Sequence, residues 1–233
     1  FRSGGEKMNA IAKRCSVYIS TDNEEKLKDK LDDIKNKIID EYKSSDPDLE
    51  ILIDKIDLKK KVINQKNLND LINILRLIPQ GIQTMSADME GLVESSSNIG
   101  VINLKDDKIE LNSAVRSSVK SLKNEITDRI DILAESFNAK HELVADYPSW
   151  KFEKKSSIRD LMKKVYKEKY DEDLEVEAIH AGLECGFLKE KLGDIDMVSL
   201  GPNLYDVHTP DEKLSISSTK KVYEFLLDVL KEI

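Results

Sequence analysis

Hydrophobic residues recur every three or four positions in several long stretches of this 233-residue chain. This spacing predicts amphipathic helices, because residues three and four apart share one face of a helix. The stretches run from Leu27 to Tyr42, Leu68 to Leu75, Val119 to Phe137, Ile158 to Tyr166 and Val222 to Leu230. The apolar residues of the last stretch are expected to be buried, namely Val222, Phe225, Leu226, Val229 and Leu230. Thr21 with Glu24 resembles a capping box for the first helix, and Ser118 is the expected cap of the third.

Other segments alternate between apolar and polar residues, which predicts β-strands. These segments are Cys15–Ser20, Leu49–Ile53, Asn98–Leu104, Ile109–Arg116, His141–Val144, Leu174–Ile179 and Ile195–Ser199. Lys105–Lys108 is the expected turn between the third and fourth of them. In the fourth strand, alternation places Arg116 on the polar face with Glu110 and Asn112, where it is available to a ligand or to solvent.

The pattern changes at Tyr147-Pro-Ser-Trp150 and the charged run Lys151–Lys155, where we place a domain boundary. Before it, strands and helices in the order β-α-β-α-β-β-α-β predict an α+β fold of helices packed on a sheet. After it, the order α-β-α-β-α predicts part of an α/β domain. The predicted domains are therefore residues 1–147 and residues 148–233.

Composition and charge exclude several classes of partner. The net charge of −8 and the isoelectric point near 5.1 argue against nucleic acid or an anionic membrane. No apolar run approaches the roughly 18 residues that a membrane span needs. The two cysteines, Cys15 and Cys185, are far apart, and no secretory signal opens the chain. We therefore expect reduced thiols in a cytoplasmic protein.

Two loops carry candidate chemistry, each expected directly after a strand, where ligands collect in α/β sheets. In the first, His180 and Glu184 lie among glycines that let a ligand approach closely, although a tight turn with Glu184 in the first helical turn fits equally well. In the second, His208 lies between Gly201-Pro202 and Pro210, as a metal ligand, an acid–base residue or a structural histidine. Arg116 could bind a carboxylate through both its amino groups or remain solvated.

Several separate segments resemble the aminoacyl-histidine (Xaa-His) dipeptidases, which are cytosolic di-zinc metallopeptidases of the carboxypeptidase-G2-like clan. The most specific are Glu177-Ala-Ile-His-Ala-Gly-Leu-Glu-Cys-Gly186, Ser199-Leu-Gly-Pro202 and Asp206-Val-His-Thr-Pro210. The segments Met85-Ser86, Gly91–Gly100, Val115–Ser118, Tyr147–Trp150 and Gly4–Ile11 also match in the family's order. The resemblance covers nearly the whole chain.

The resemblance implies a partial α/β zinc-peptidase catalytic domain with an α+β lid domain. Residues 1–147 would be the C-terminal portion of the lid, which caps the substrate and can dimerise, and residues 148–233 the last catalytic segment. His208 would be a metal ligand. Substrate binding would fall to the following residues: Arg116 for the terminal carboxylate, Asn9, and His180, Gly182 and Glu184 beside the metals.

The implied reaction is hydrolysis of dipeptides, Xaa-His among them, by water activated by two zinc ions, whose place other divalent metals can take. The family's other ligands and its general base lie upstream of Phe1, so no catalytic base is expected in this chain and the chain alone should be inactive. Ala12-Lys13-Arg14-Cys15 also departs from the family's Ile-Pro-Arg-Glu. The alternatives are a non-catalytic interaction or dimerisation module and another amidohydrolase or tripeptidase of the same clan; a homodimer stays open.

Overall fold

The computed structural model describes residues 3–5, 7–56, 62–105, 108–178, 183–207 and 209–233. Within these ranges the helices are α1 (Glu24–Tyr42), α2 (Gln65–Leu77), α3 (Lys120–Ser136), α4 (Ser157–Tyr170), α5 (Glu184–Leu192) and α6 (Ile216–Lys231). The strands are β1 (Ser3–Gly4), β2 (Cys15–Ser16), β3 (Gly81–Met85), β4 (Val93–Lys105), β5 (Lys108–Ser117), β6 (Leu204–Tyr205) and β7 (Lys213–Leu214). The mixture of helices and strands confirms the predicted fold class. None of the helices in these ranges is both long and apolar enough to cross a membrane.

The predicted helices are confirmed, while two of their predicted caps are wrong. Asn23 caps α1, because its Oδ1 accepts a hydrogen bond from the backbone N–H of Lys26 at 3.0 Å. An asparagine at this position serves as well as the threonine expected two residues earlier. The N-cap of α3 is Val119, whose N–H donates to the hydroxyl of Ser117 at 3.0 Å, so Ser118 does not cap this helix.

Strand β4 is the centre of the main sheet, whose order is β2-β1-β4-β3 with β5 also paired to β4. Strand β4 ends at Lys105 and β5 begins at Lys108, on either side of the predicted turn, whose residues Asp106 and Asp107 lie outside the described residues. Strand β3 was not predicted as a strand of its own, because its sequence Gly-Ile-Gln-Thr-Met contains too few apolar residues to show a period. It pairs antiparallel with β4, with irregular register between Ile82 and Met85.

The chain divides into two compact units. The first comprises Phe1–Arg76 and Gly100–Asn112, and the second comprises Leu77–Ile99 and Ser113–Ile233. The boundary predicted after residue 147 separates a lid domain from a catalytic domain. This boundary stays a prediction.

Four predicted strands are absent from the described residues: those at 49–53, 141–144, 174–178 and 195–199. A strand requires a neighbour whose backbone completes its hydrogen bonds, and no such neighbour pairs with these segments in the described ranges. Local alternation therefore predicted that these segments could form strands, but the described chain supplies no strand that pairs with them.

The core of the second unit lies between α4 and α6. Its buried residues are Met162 and Val165 from α4, and Phe225 and Val229 from α6. Two residues predicted to be buried, Leu226 and Leu230, are instead 38% and 58% exposed. Helix α6 therefore has more apolar surface than α4 covers.

An acidic group on α6 is expected to make stability depend on pH. Asp228 accepts a hydrogen bond from Lys169, and another from Lys231 at 2.7 Å, which together lower its pKa to about 2. Because the folded pKa lies below the ordinary value of 3.8, this stabilisation is present above about pH 4 and is lost as the pH falls towards 2. We expect the melting temperature of Asp228→Asn to fall less than that of the unchanged chain between pH 4 and pH 2. Asp29→Asn, on α1, is the control, and equal falls in all three proteins would contradict the expectation.

Candidate functional site

Arg116 lies at the end of β5, one residue before the corner that leads into α3. Along this strand Ile109 and Leu111 are half-buried, whereas Glu110 and Asn112 are exposed, which confirms the predicted alternation over these four residues. The alternation does not continue to Arg116, because every residue from 113 to 116 is half-buried. Arg116 itself is half-buried. Among the described residues its guanidinium has no carboxylate partner and no hydrogen bond. This leaves a planar array of donors available to an anion.

The corner after Arg116 is fixed by its buried neighbour Ser117. The Ser117 hydroxyl donates to the backbone carbonyl of Glu94 at 2.9 Å and accepts from the N–H of Val119 at 3.0 Å. The N–H of Ser118 donates to the same Glu94 carbonyl at 3.3 Å. These bonds tie the end of β5 to β4 and to the start of α3, and so restrict the backbone that carries Arg116.

A connecting segment, residues 146–149, attaches to this corner from the other side. The Ser149 hydroxyl donates to the backbone carbonyl of Ser117 at 3.0 Å. Lys123, on α3, donates to the carbonyl of Tyr147 at 2.6 Å and pairs with the carboxylate of Asp146. The segment is thus held at both its ends.

The same connecting segment packs against α5, which begins at Glu184. Gly186 is buried there, and a Cβ atom at this position would lie 2.5 Å from the carbonyl oxygen of Pro148. The rings of Tyr147 and Phe187 meet edge to face, with centroids 5.5 Å apart. Residues 146–149 therefore contact both the corner next to Arg116 and the helix that begins at Glu184. Within the described residues, no hydrogen bond or ion pair joins the side chain of Arg116 to that of Glu184.

Replacing Gly186 by alanine is expected to force α5 and the connecting segment apart. The added methyl would overlap a backbone atom that cannot rotate away, which typically costs about 1–3 kcal/mol of unfolding free energy. Urea denaturation measures this cost. Gly201→Ala is the matched control, because no heavy atom lies within 4 Å of the place that its added methyl would occupy. Equal stability of the two variants would show that the approach of Gly186 to Pro148 is not tight.

Of the remaining predicted site residues, His208, His180 and Gly182 lie outside the described residues. The residues around His208 belong to the β6–β7 hairpin. Asp206 adopts a left-handed backbone conformation with φ of 53°, and its carbonyl accepts from the N–H and hydroxyl of Thr209, at 3.2 and 2.6 Å. The hairpin is tied to the start of α6 by the N–H of Asn203, which donates to the Ser218 hydroxyl at 2.9 Å.

Asn9 is exposed on the loop between β1 and β2, in the first unit. The loop is closed by a hydrogen bond from the N–H of Gly5 to the carbonyl of Arg14 at 3.2 Å. It crosses β4 closely, since a Cβ atom at Gly100 would lie 2.4 Å from the backbone of Met8. The loop that carries Asn9 can lie this close to β4 because the glycine at position 100 has no side chain.

The described residues do not make a metal site by themselves. No group of three or more histidine, cysteine, aspartate or glutamate side chains capable of holding a metal ion occurs among them. Cys185, which adjoins the predicted pocket, has its thiol pKa raised by burial and by the nearby charge of Glu184. That shift keeps the thiol protonated and disfavours a role as nucleophile.

Reasoning from the sequence missed the part that Ser117, Ser149 and Gly186 play in positioning the site. The hydroxyl contact of Ser149 joins residues 32 positions apart, which no local pattern can reveal. The sequence did contain one indication of their importance. Ser117 and Ser149 lie in two of the segments that resemble the dipeptidases, Val115–Ser118 and Tyr147–Trp150.

Comparison with known proteins identifies relatives over nearly the whole chain. The chain is 30% identical, over 99% of its length, to the cytosol non-specific dipeptidase of Escherichia coli strain K12, of which it covers 48%. It matches the crystal structure of the aminoacylhistidine dipeptidase from Vibrio alginolyticus with a TM-score of 0.88 and 29% identity, covering 99% of this chain and 48% of that one. No family model matches. The chain spans about half the length of these relatives, and it is a homologue of the cytosol non-specific and aminoacylhistidine dipeptidases, corresponding to their C-terminal half.

Proposed function

We propose that the natural polypeptide carrying this sequence is a metal-dependent dipeptidase of the cytosol, with Xaa-His dipeptides among its substrates. The observation that carries the proposal is Arg116, a half-buried residue whose guanidinium has no anionic partner among the described residues, in a chain homologous to dipeptidases. A substrate carboxylate could pair with this guanidinium through charge-assisted hydrogen bonds. Dipeptides present such a carboxylate at one end.

The corner at Ser117 supports this role for Arg116. Its hydrogen bonds to Glu94 and Val119 hold the backbone, so the guanidinium loses less freedom when a carboxylate binds. Asn9, His180, Gly182 and Glu184 are proposed to contact the rest of the substrate. The substrate carboxylate would bind Arg116 on β5, and the reacting peptide bond would lie farther from this strand.

His208 is proposed as the residue of this chain that holds a metal ion. Two zinc ions, or other divalent metals in their place, would supply activation of the attacking water. The hairpin that contains position 208 is fixed on both sides by the Asp206–Thr209 hydrogen bonds and by its attachment to α6, which suits a ligand loop. As the family resemblance implies, the remaining ligands are proposed to come from polypeptide outside this chain. The described residues contain no group of three or more histidine, cysteine, aspartate or glutamate side chains that could hold a metal ion.

Zinc titration by calorimetry tests the assignment of His208. We expect the natural polypeptide to bind two zinc ions tightly and the 233-residue chain alone to bind zinc weakly. In the natural polypeptide, His208→Ala should lower the zinc affinity by at least tenfold, which is the smallest usual effect of losing a ligand or the group that supports it. His141→Ala is the matched control, because its ring hydrogen-bonds Asp131 at 3.3 Å. Unchanged zinc affinity in His208→Ala would refute the assignment, and tight binding of two ions by the chain alone would show that the remaining ligands do not lie outside it.

A further inference from the structure

Lys123 is the most buried of the ion-paired lysines in the described part of the chain. Its side chain is 13% exposed, and the next least exposed, those of Lys189 and Lys169, are 26% and 29% exposed. Lysines are rarely buried unless the charge is paired and hydrogen-bonded, because removing an ammonium group from water is costly. Lys123 also lies in the first turn of α3, where the helix dipole disfavours a cation. Its position is therefore not explained by the stability of the helix that carries it.

The ammonium group of Lys123 binds a neighbouring stretch of backbone. Its Nζ donates a hydrogen bond to the carbonyl oxygen of Tyr147 at 2.6 Å and pairs with the carboxylate of Asp146. Asp146 is 67% exposed, and an ion pair with so exposed a carboxylate contributes little to stability. The bond to the carbonyl is charge-assisted, and it acts on the main chain. Lys123 thus holds the backbone of the connecting segment, residues 146–149.

The connecting segment carries this attachment to the corner beside Arg116. The hydroxyl of Ser149, two residues after Tyr147, donates to the carbonyl of Ser117 at 3.0 Å, and Ser117 directly follows Arg116 in the chain. Ser117 and Lys123 belong to one continuous stretch that leads from the corner into α3. The segment is bonded to this stretch at both points, so it cannot shift without disturbing the corner.

The placement of Arg116 depends on this corner. Within the described residues its guanidinium makes no hydrogen bond or ion pair, so its position is set by packing and by the backbone that carries it. A guanidinium that is already in place loses less freedom when a carboxylate binds. A displacement of about 1 Å, even one caused far from the reacting atoms, can lower a rate by about 100-fold.

We propose that Lys123 is a positioning residue of the dipeptide site. It holds residues 146–149 against the corner and thereby fixes Arg116 for the carboxylate of the substrate. The inference rests on the proposed function, since it takes Arg116 as the residue that binds this carboxylate. It assigns Lys123 no contact with the substrate or with the reacting atoms.

Kinetics with a substrate that lacks the carboxylate separates positioning from a general loss of stability. The natural polypeptide and its variants are assayed with β-Ala-His and with its C-terminal amide, in which a neutral group replaces the carboxylate. We expect Lys123→Met to lower kcat/KM for β-Ala-His by about 10- to 100-fold, mostly through a higher KM, and to change kcat/KM for the amide much less. Lys123→Arg keeps a charged donor for the Tyr147 carbonyl and should restore most of the activity.

Three further variants test the route through the corner. In the Arg116→Ala background Lys123→Met should cause no additional loss, because the group that it positions is already gone. Ser149→Ala removes the other attachment of the segment by a smaller change and should give the same selective loss on β-Ala-His. Lys169→Met is the matched control: it removes a partly buried lysine whose ion pair with Asp228 joins α4 to α6, so it should leave the ratio between the two substrates unchanged.

The outcomes separate this inference from the proposed function. Equal losses for β-Ala-His and its amide in Lys123→Met, or a further loss in the Arg116→Ala background, would overturn the inference and leave the proposed function intact. If Lys123→Met does not fold, the same two comparisons made with Ser149→Ala decide the matter. No dipeptide hydrolysis by the unchanged polypeptide would instead remove the proposed function, and this inference with it.

Discussion

Replacing Arg116 by alanine in the natural polypeptide is expected to lower kcat/KM for dipeptides by about 30- to 700-fold. This corresponds to about 2–4 kcal/mol, the usual loss when one partner of a desolvated, charge-assisted pair is removed. Most of the loss should appear as a higher KM, because the proposed function has the guanidinium bind the end of the substrate that does not react. Steady-state kinetics on a dipeptide panel measures both constants.

Two further variants separate the role of Arg116 from a general effect of losing an arginine. Arg116→Lys keeps the charge without the planar fork and should recover only part of the lost activity. Arg129→Ala removes an exposed arginine on α3 whose Nη1 donates to the Gln83 side chain at 3.2 Å, and it should change little. An unchanged kcat/KM for Arg116→Ala would remove this residue from the site.

Replacing Gly5 by alanine is expected to cost about 2–5 kcal/mol of unfolding free energy. Gly5 has a φ of 77°, which disfavours any side chain, and its added Cβ would lie 1.7 Å from the carbonyl oxygen of Gly100. The strain of the backbone contributes about 1–2 kcal/mol and the overlap about 1–3 kcal/mol. Because the overlapping atom belongs to the backbone of β4, the loop that carries Asn9 would have to move off the strand.

Gly81→Ala measures the backbone strain alone, so its difference from Gly5→Ala gives the contribution of the overlap. Gly81 has a nearly identical φ of 80°, but nothing lies within 4 Å of a Cβ atom placed there. Urea denaturation should therefore give a smaller loss for Gly81→Ala than for Gly5→Ala. Equal losses would mean that the loop does not press on Gly100, and the position of Asn9 would lose its structural explanation.

The helices could be predicted from the sequence because their information is local. The spacing of Met162 and Val165 in α4, and of Phe225 and Val229 in α6, defines a face that needs only one neighbour to bury it. The same spacing could not tell that Leu230 lies on a different, exposed side of α6. That distinction depends on where α4 packs, which local sequence does not encode.

The segments 174–178 and 195–199 failed as predicted strands for a related reason. Leu174 and Val198 pack against the α4–α6 core, so each segment does contact the helices. Pairing additionally requires a second strand, and the described chain provides none for them. The sequence thus predicted extended segments without determining their hydrogen bonds.

The candidate site divides in the same way. Parity along β5 predicted the exposed positions of Glu110 and Asn112, but it did not predict that Arg116 is half-buried like the three residues before it. The hydrogen bond from Ser149 to Ser117 and the approach of Gly186 to Pro148 join distant parts of the chain. The glycines around residue 184 were interpreted as room for a ligand or a tight turn, and at Gly186 the close neighbour is the backbone of Pro148.

Hydrolysis of β-Ala-His and a panel of other dipeptides, with and without a metal chelator, tests the central claim most directly. The account predicts that the natural polypeptide carrying this sequence hydrolyses dipeptides, loses this activity in chelator and regains it when zinc is returned. It also predicts no hydrolysis by the 233-residue chain alone. Activity that persists in chelator, or the absence of dipeptide hydrolysis in the natural polypeptide loaded with zinc, would contradict it and favour a non-catalytic interaction module.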